Sequence, residues 1–320
     1  MSSSTNNKHI EVADKISALD ARFVRHERYE RLAHIAQGLL QKRLADLRAG
    51  RQSEATSIAL TAAAGSGKTK AMEKLISDLQ ESIGQSDFPE GKIVSLNVPS
   101  PASLKAVGQT ILSAVDYDLK PNREAWYIWD LVRYHLRENR VLFLHLDEAQ
   151  DLKSRSTVNE ISNVVNTLKS ISQDPEWPVG LLLSGTEGLQ QIVNFDPQLV
   201  RRVKGLRFAP LCFGGDAIDI LDLVESYAAR AGLRFDRGDQ NMQLGERVIH
   251  ASAYQFGLCI TLTIYAIEDA LLADDTVLTW QHFERGYQEW KDCDDAFNPF
   301  LVPDFTRLDP LRLFDGEDLS

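Results

Sequence analysis

The sequence predicts an α/β fold: a parallel sheet with helices on both faces, followed by a smaller all-helical domain. Three observations carry this. Ser57-Ile58-Ala59-Leu60-Thr61 and four further apolar runs, Ile93–Val98, Val141–Leu146, Val179–Leu183 and Leu206–Phe208, alternate with helical patterns. The first run leads directly into Ala62-Ala63-Ala64-Gly65-Ser66-Gly67-Lys68-Thr69, a glycine-bearing turn that opens an amphipathic helix (Met72, Leu75, Ile76, Leu79). After Phe213-Gly214-Gly215 every periodic segment is helical: Ile218–Ala231, Leu244–Ala253, Leu258–Leu272 and Trp280–Trp290, with no convincing strand.

Each element has a local reason. Leu32, Ile35, Leu39, Leu40, Leu44 and Leu47 recur at helical spacing and Gly50 closes the pattern, so a helix precedes the sheet. Leu104, Val107, Ile111, Leu112 and Val115 form one stripe between strands, and Trp126, Trp129, Val132 and Leu136 another; both read as core. From Asp292 the chain turns acidic and carries Pro and Phe (Asn298-Pro299-Phe300, Pro303-Asp304-Phe305), which predicts an irregular tail. Such a tail either docks on a partner or straps onto its own domain. The expected boundaries are 1–50 for the N-terminal segment and helix, 51–212 for the nucleotide-binding α/β domain, 213–291 for the helical lid and 292–320 for the tail.

Composition excludes several classes. With 320 residues, 43% of them hydrophobic, the chain supports sizeable cores. Met1–Lys8 has no apolar core, and no segment supplies the roughly 18 uncharged apolar residues of a membrane helix, so a cytoplasmic protein without membrane attachment is expected. Cys212, Cys259 and Cys293 are far apart, which indicates neither a disulfide framework nor a zinc site. A net charge of −11 argues against coating nucleic acid over the whole surface, though not against a local basic strip. Arg22, Arg25, Arg28, Arg31, Lys42, Arg43, Arg48 and Arg51, diluted by Glu27, Glu30 and Asp46, read by themselves as a solvated helix face.

The turn after the first strand is a phosphate-binding loop. Glycines let backbone N–H groups approach phosphate oxygens, the lysine reaches the β and γ phosphates, and the hydroxyl that follows ligates Mg²⁺. Ala64, Gly65, Ser66, Gly67, Lys68, Thr69 and Lys70 are therefore the expected ATP-binding residues, with Ala62 standing where the pattern has glycine. Val141–Leu146 ends in Asp147-Glu148-Ala149-Gln150, where a phosphate-loop enzyme needs its second motif. Asp147 is expected to hold Mg²⁺ together with Thr69, and Glu148 to deprotonate the attacking water; His145 reads as a packed core histidine. Val179–Leu183 ends in Ser184-Gly185-Thr186, with Thr186 the preferred hydroxyl toward the γ phosphate. Arg201 and Arg202, before the last strand, are candidates to reach a neighbouring subunit's ATP, or else to form surface salt bridges.

With these parts in this order the chain resembles an AAA+ ATPase, and within that class the TnsC/TniB group of transposition regulators, related in role to MuB. The likeness covers about Tyr29–Trp290. Gly65–Thr69 and Asp147–Gln150 carry the general resemblance; Pro99-Ser100-Pro101, Glu160–Ser172, Gly185-Thr186 and Asp196–Arg202 carry the more particular one. The resemblance implies a five-stranded AAA+ core with a helical lid and ATP-dependent homo-oligomeric rings or filaments on double-stranded DNA. It also implies recruitment of a transposase and its targeting proteins. By the same likeness Glu148, Lys68, Thr186 and Arg201 or Arg202 are catalytic, and Lys105, Lys153, Arg155, Lys120 and Arg123 are the candidate DNA contacts. The lid segment Phe256–Ile260 departs from the wider pattern in having no arginine. A helicase is excluded by the helical second half and the lack of a Gln-x-x-Gly-Arg-x-x-Arg stretch; a nucleotide-gated adaptor acting on protein partners remains the alternative.

Overall fold

The computed structural model describes residues 2–100, 102–119, 123–153, 158–238 and 241–312. They form two compact units, one of Arg25–Ala64 and Lys68–Phe208, the other of Met1–Val24, Gly65–Gly67 and Ala209–Ser320. The first helix, α1 (Ser2–Asp20), belongs to the second unit.

The sheet unit runs α2 (Glu27–Arg48), β1 (Ser57–Ala62), α3 (Lys68–Gly84), β2 (Lys92–Asn97), α4 (Leu104–Ala114), α5 (Ala125–Glu138) and β3 (Val141–Asp147). A 3₁₀ turn (Ala149–Lys153) follows, then α6 (Val158–Ser172), β4 (Gly180–Gly185), α7 (Leu189–Val193), α8 (Pro197–Val200) and β5 (Val203–Phe208). The five strands are all parallel in the order β2-β3-β4-β1-β5. β1, β3 and β4 are buried along their whole length, which is why they read as continuous apolar runs; helices cover both faces of a parallel sheet. The edge strands β2 and β5 expose part of their residues. Parallel strands bring their carboxyl ends to one side, so the loops after Ala62, Asp147 and Gly185 share one rim.

The helices follow their apolar stripes. α2 starts at His26, whose Nδ1 accepts from Tyr29 N (3.3 Å), with Glu27 and Glu30 in its first turn, and buries Leu32, Ala36, Leu39, Leu40 and Leu44. The expected solvated basic face is broken at Arg43, which is buried and lies over the Trp177 ring (5.2 Å). Arg25, Arg48 and Arg51 pair with Glu30, Asp87 and Asp46. The α5 stripe also differs from expectation. Trp129 is buried and donates Nε1–H to Leu104 O (3.1 Å), whereas Trp126 is 69% exposed, because it lies off the Ile128, Trp129, Val132, Leu136 face.

The helical unit contains α1, α9 (Phe213–Ala231), β6 (Arg234–Phe235), α10 (Asn241–Ala251), α11 (Phe256–Leu272), β7 (Val277–Leu278) and α12 (Trp280–Lys291), with 3₁₀ turns at Asp295–Phe297 and Phe305–Arg307. β6 and β7 pair in parallel, against the all-helical expectation for this unit; two-residue strands are too short to show alternation in sequence. α1 was likewise not expected; Val12 and Leu19 are its buried residues. Gly65–Gly67 groups with this unit: Leu258 N donates to Gly65 O (3.0 Å), and a Cβ on Gly257 would come within 2.5 Å of that oxygen.

Most of the tail is a strap on its own unit. Buried Arg247 donates to the carbonyls of Pro299 and Val302 (2.7 Å for the latter) and lies over the Phe305 ring at 4.5 Å. Asn298, fully buried, donates to Glu284 O (2.9 Å), Trp280 to Phe300 O (3.1 Å) and Lys291 to Pro310 O (3.0 Å). No single helix among the described residues is long and apolar enough to cross a membrane.

Candidate nucleotide-binding site

The loop after β1 is built by backbone conformation. Gly65 (φ +77°) and Gly67 (φ +85°) are left-handed, a region that a Cβ disfavours, so glycine is required at both. Ser66 is buried, and its hydroxyl has no hydrogen-bond partner among the described residues. An orphaned buried hydroxyl in such a loop fits a phosphate oxygen as partner. α3 then begins at Lys68, which is 7% exposed, while Lys70 faces solvent. Ala62, at the end of β1, is buried, and Ala64 is exposed.

Lys68 and Thr69 face the acids at the end of β3. Lys68 Nζ lies 3.0 Å from Glu148 Oε1 and 3.7 Å from Asp147 Oδ1, and Thr69 Oγ1 donates to Asp147 Oδ2 (3.2 Å). Asp147 is 4% exposed. Burial alone pushes its carboxyl pKa up. The Ser184 hydroxyl bonded to Oδ1 (2.6 Å), the Glu148 amide on the same oxygen (2.9 Å) and the Lys68 charge outweigh burial and hold the pKa below the ordinary value. A hydroxyl and an ionised carboxylate oxygen on one side of the cluster suit a hard cation that keeps waters and takes phosphate oxygens, so Mg²⁺ fits Thr69 and Asp147.

Glu148 adopts φ +52°, a left-handed turn for a non-glycine residue directly after the strand. Gln150 holds it: Nε2 donates to Glu148 Oε2 (2.6 Å), and Gln150 Oε1 accepts from Thr186 N (2.9 Å). A Cβ on Gly185 would collide with Gln150 Oε1, so glycine there lets this bridge form. Gln150 was not among the residues singled out from sequence; its place in Asp147-Glu148-Ala149-Gln150 was the available signal.

The hydroxyl that touches the acids is that of Ser184. Ser184 is fully buried and bonds Asp147, while Thr186 engages through its backbone amide. Ser184 lies within β4 on the face of Leu182, the register partner of His145 on β3, whereas Thr186 lies beyond the strand's end at Gly185. His145 Nε2 lies 2.8 Å from Ser184 Oγ, and its Nδ1 lies 2.8 Å from Ser95 Oγ on β2. Burial depresses its pKa to about 4, with the Lys68 charge acting in the same direction and Asp147 opposing, so the ring is neutral near neutral pH.

The remaining candidates lie elsewhere. Arg202 is engaged within the sheet unit, with Nε on Glu54 Oε2 (2.6 Å) and Nη1 on Gln198 O (3.0 Å). Arg201 closes α8, is exposed, and its guanidinium bonds none of the described residues. α8 itself is set by Asp196, whose side chain accepts from Gln198 N (2.6 Å), with Pro197 in the first turn. Lys105, partly exposed on α4, and Arg123, exposed with its guanidinium over Tyr127 (5.4 Å), both lie in the β2–β3 crossover. Lys153 ends the 3₁₀ turn after β3; Lys120 and Arg155 fall outside the described residues.

Residues 51–193 match the model of the AAA domain family. No curated protein matches the sequence. Among solved structures the chain is similar to Aeropyrum pernix Orc1 in complex with DNA, at 16% identity and TM-score 0.59, over 85% of this chain and 67% of that one. It is similar to Cdc6p from Pyrobaculum aerophilum at 17% identity and TM-score 0.58, over 85% and 70%. Drosophila ORC bound to DNA matches at 16% identity and TM-score 0.55, over 88% and 66%. These matches carry the fold and not the narrower transposition-regulator grouping. The chain has an AAA+ P-loop α/β domain with a five-stranded parallel sheet, matching Orc1- and Cdc6-like folds.

Proposed function

We propose that this chain is a Mg²⁺-dependent ATPase that assembles on duplex DNA in its ATP-bound form and selects target DNA for a transposase. The observation that carries the ATPase reading is the approach of Lys68 and Thr69 to Glu148 and Asp147 within 3.0 and 3.2 Å. Lys68 and the amides of Gly65–Gly67 would hold the β and γ phosphates, and Thr69 and Asp147 the metal. Bound magnesium neutralises charge on the phosphate oxygens. Glu148 orients the attacking water and takes its proton at a carboxylate oxygen, while Gln150 keeps that carboxylate in register with Thr186. Lys68 leaves Glu148 for phosphate when the triphosphate enters, which frees the base for water.

Arg201 is the better candidate for a charge supplied to a second copy, because Arg202 is committed to Glu54. Phe195 and Val200, 39% and 43% exposed, leave apolar surface close to Arg201 in sequence, which supports a subunit interface there. The DNA reading is supported by the DNA-bound Orc structures and by Lys105 and Arg123 in one crossover; the transposition role rests on the sequence resemblance. The net charge of −11 favours a second reading, a nucleotide-gated adaptor acting on protein. Electron microscopy with ATP and duplex DNA separates the two. Rings or filaments that need both ligands support the first reading, whereas ATP-bound particles indifferent to DNA support the second.

A further inference from the structure

A line of four polar groups runs from the edge strand β2 through β3 to β4, from exposed Ser95 to buried Asp147 at the end of β3. Ser95 Oγ on β2 lies 2.8 Å from His145 Nδ1, His145 Nε2 lies 2.8 Å from Ser184 Oγ on β4, and Ser184 Oγ lies 2.6 Å from Asp147 Oδ1. His145 is 4% exposed and Ser184 fully buried. Buried polar groups are costly unless satisfied, and the three buried ones, His145, Ser184 and Asp147, each have partners.

We propose that His145, acting through Ser184, is a positioning residue that keeps Asp147 Oδ2 turned toward Thr69. The proton inventory forces one direction along the line. An ionised Asp147 only accepts, so Ser184 must give its single hydroxyl proton to Oδ1. Ser184 then has only a lone pair for the imidazole, so Nε2 carries the ring proton. In a neutral ring Nδ1 is then the acceptor, and Ser95 donates to it. With Oδ1 occupied by Ser184 and by the Glu148 amide (2.9 Å), Oδ2 is the oxygen left for Thr69 (3.2 Å) and for a metal beside it. The histidine therefore prevents Ser184 from turning its proton away from Asp147, the kind of outer hydrogen bond that tunes a metal ligand.

The inference rests on Asp147 being the magnesium ligand, and the test separates the two claims. In full-length, nucleotide-free protein at pH 7.5, ¹⁵N-histidine NMR should show His145 carrying a proton on Nε2; an Nδ1–H tautomer with bare Nε2 overturns the proposal. The second readout is the ratio of ATP affinity in Mg²⁺ to that in EDTA. His145→Leu and Ser184→Ala should each lower this ratio about 10-fold, the double variant no further than Ser184→Ala alone. His145→Gln, which keeps an N–H for Ser184, should restore it. If His145→Leu only loosens the core, its melting temperature falls but the ratio stays at the wild-type value, and the proposal is overturned. A wild-type ratio of one would instead remove Asp147 as a metal ligand, and the proposal with it.

Discussion

Replacing Glu148 by glutamine should make the protein bind ATP more tightly while stopping its turnover. Lys68 is shared between Glu148 at 3.0 Å and Asp147 at 3.7 Å, so a phosphate oxygen at Lys68 competes with both carboxylates. The Glu148 side chain is 42% exposed, so its pairing with Lys68 belongs with solvent-screened ion pairs, at about 0.5–1 kcal/mol. Releasing that competition corresponds to roughly 2- to 5-fold tighter ATP, and removing a negative charge beside a triphosphate acts in the same direction. Loss of a general base lowers turnover about 10²- to 10⁴-fold. Isothermal titration with ATP and a phosphate-release assay measure the two effects. Affinity that weakens, or turnover that persists at the wild-type rate, would refute the reasoning.

Arg201→Ala should retain ATP binding and lose about 10³-fold in turnover, and mixing it with Glu148→Gln subunits should restore activity because each variant supplies what the other lacks. Arg202→Ala, which removes a pair with an exposed Glu54, should cost less than about 1 kcal/mol in denaturant unfolding and leave turnover intact. Arg247→Met should lower stability by about 2–4 kcal/mol and open residues 299–310 to limited proteolysis, since the Pro299 and Val302 carbonyls lose a charged donor and Phe305 a cation. For His145, whose pKa is depressed to about 4 in the folded state, the unfolded chain binds the extra proton between pH 6.5 and about 4. Stability should therefore fall on acidification through that window, by at most about 3 kcal/mol, and less so in His145→Gln; urea midpoints at pH 7 and 4.5 measure this.

What was legible in the sequence was whatever local spacing determines. Gly65 and Gly67 announce a left-handed loop, and three strands buried on both faces read as apolar runs without alternation. The pairing of Lys68 and Thr69 with Glu148 and Asp147 follows once β1 and β3 are parallel members of one sheet. What was hidden depends on contacts across strands. The contact of Ser184 with Asp147 needs the β3–β4 pairing, and the contacts of His145 need Ser95 and Ser184 on its two sides at once. Gln150 is two residues from Glu148, yet its use depends on the space left by Gly185. Arg201 and Arg202 are adjacent and chemically alike; the contacts of Arg202 with Glu54 and the Gln198 carbonyl distinguish the two. α1 is hard to read because it is weakly amphipathic and mostly polar, and the choice between a docking tail and a strap turns on Arg247, which gathers the tail's carbonyls from a distance in sequence.

The most direct test is calorimetric titration of the purified chain with ATP in the presence of Mg²⁺, repeated with Lys68→Ala and with EDTA. Saturable binding that disappears in Lys68→Ala and weakens in EDTA is the expected result. Absence of binding by the wild type, or binding that survives loss of Lys68 unchanged, would contradict a triphosphate held between Lys68, Thr69 and the acids at the end of β3.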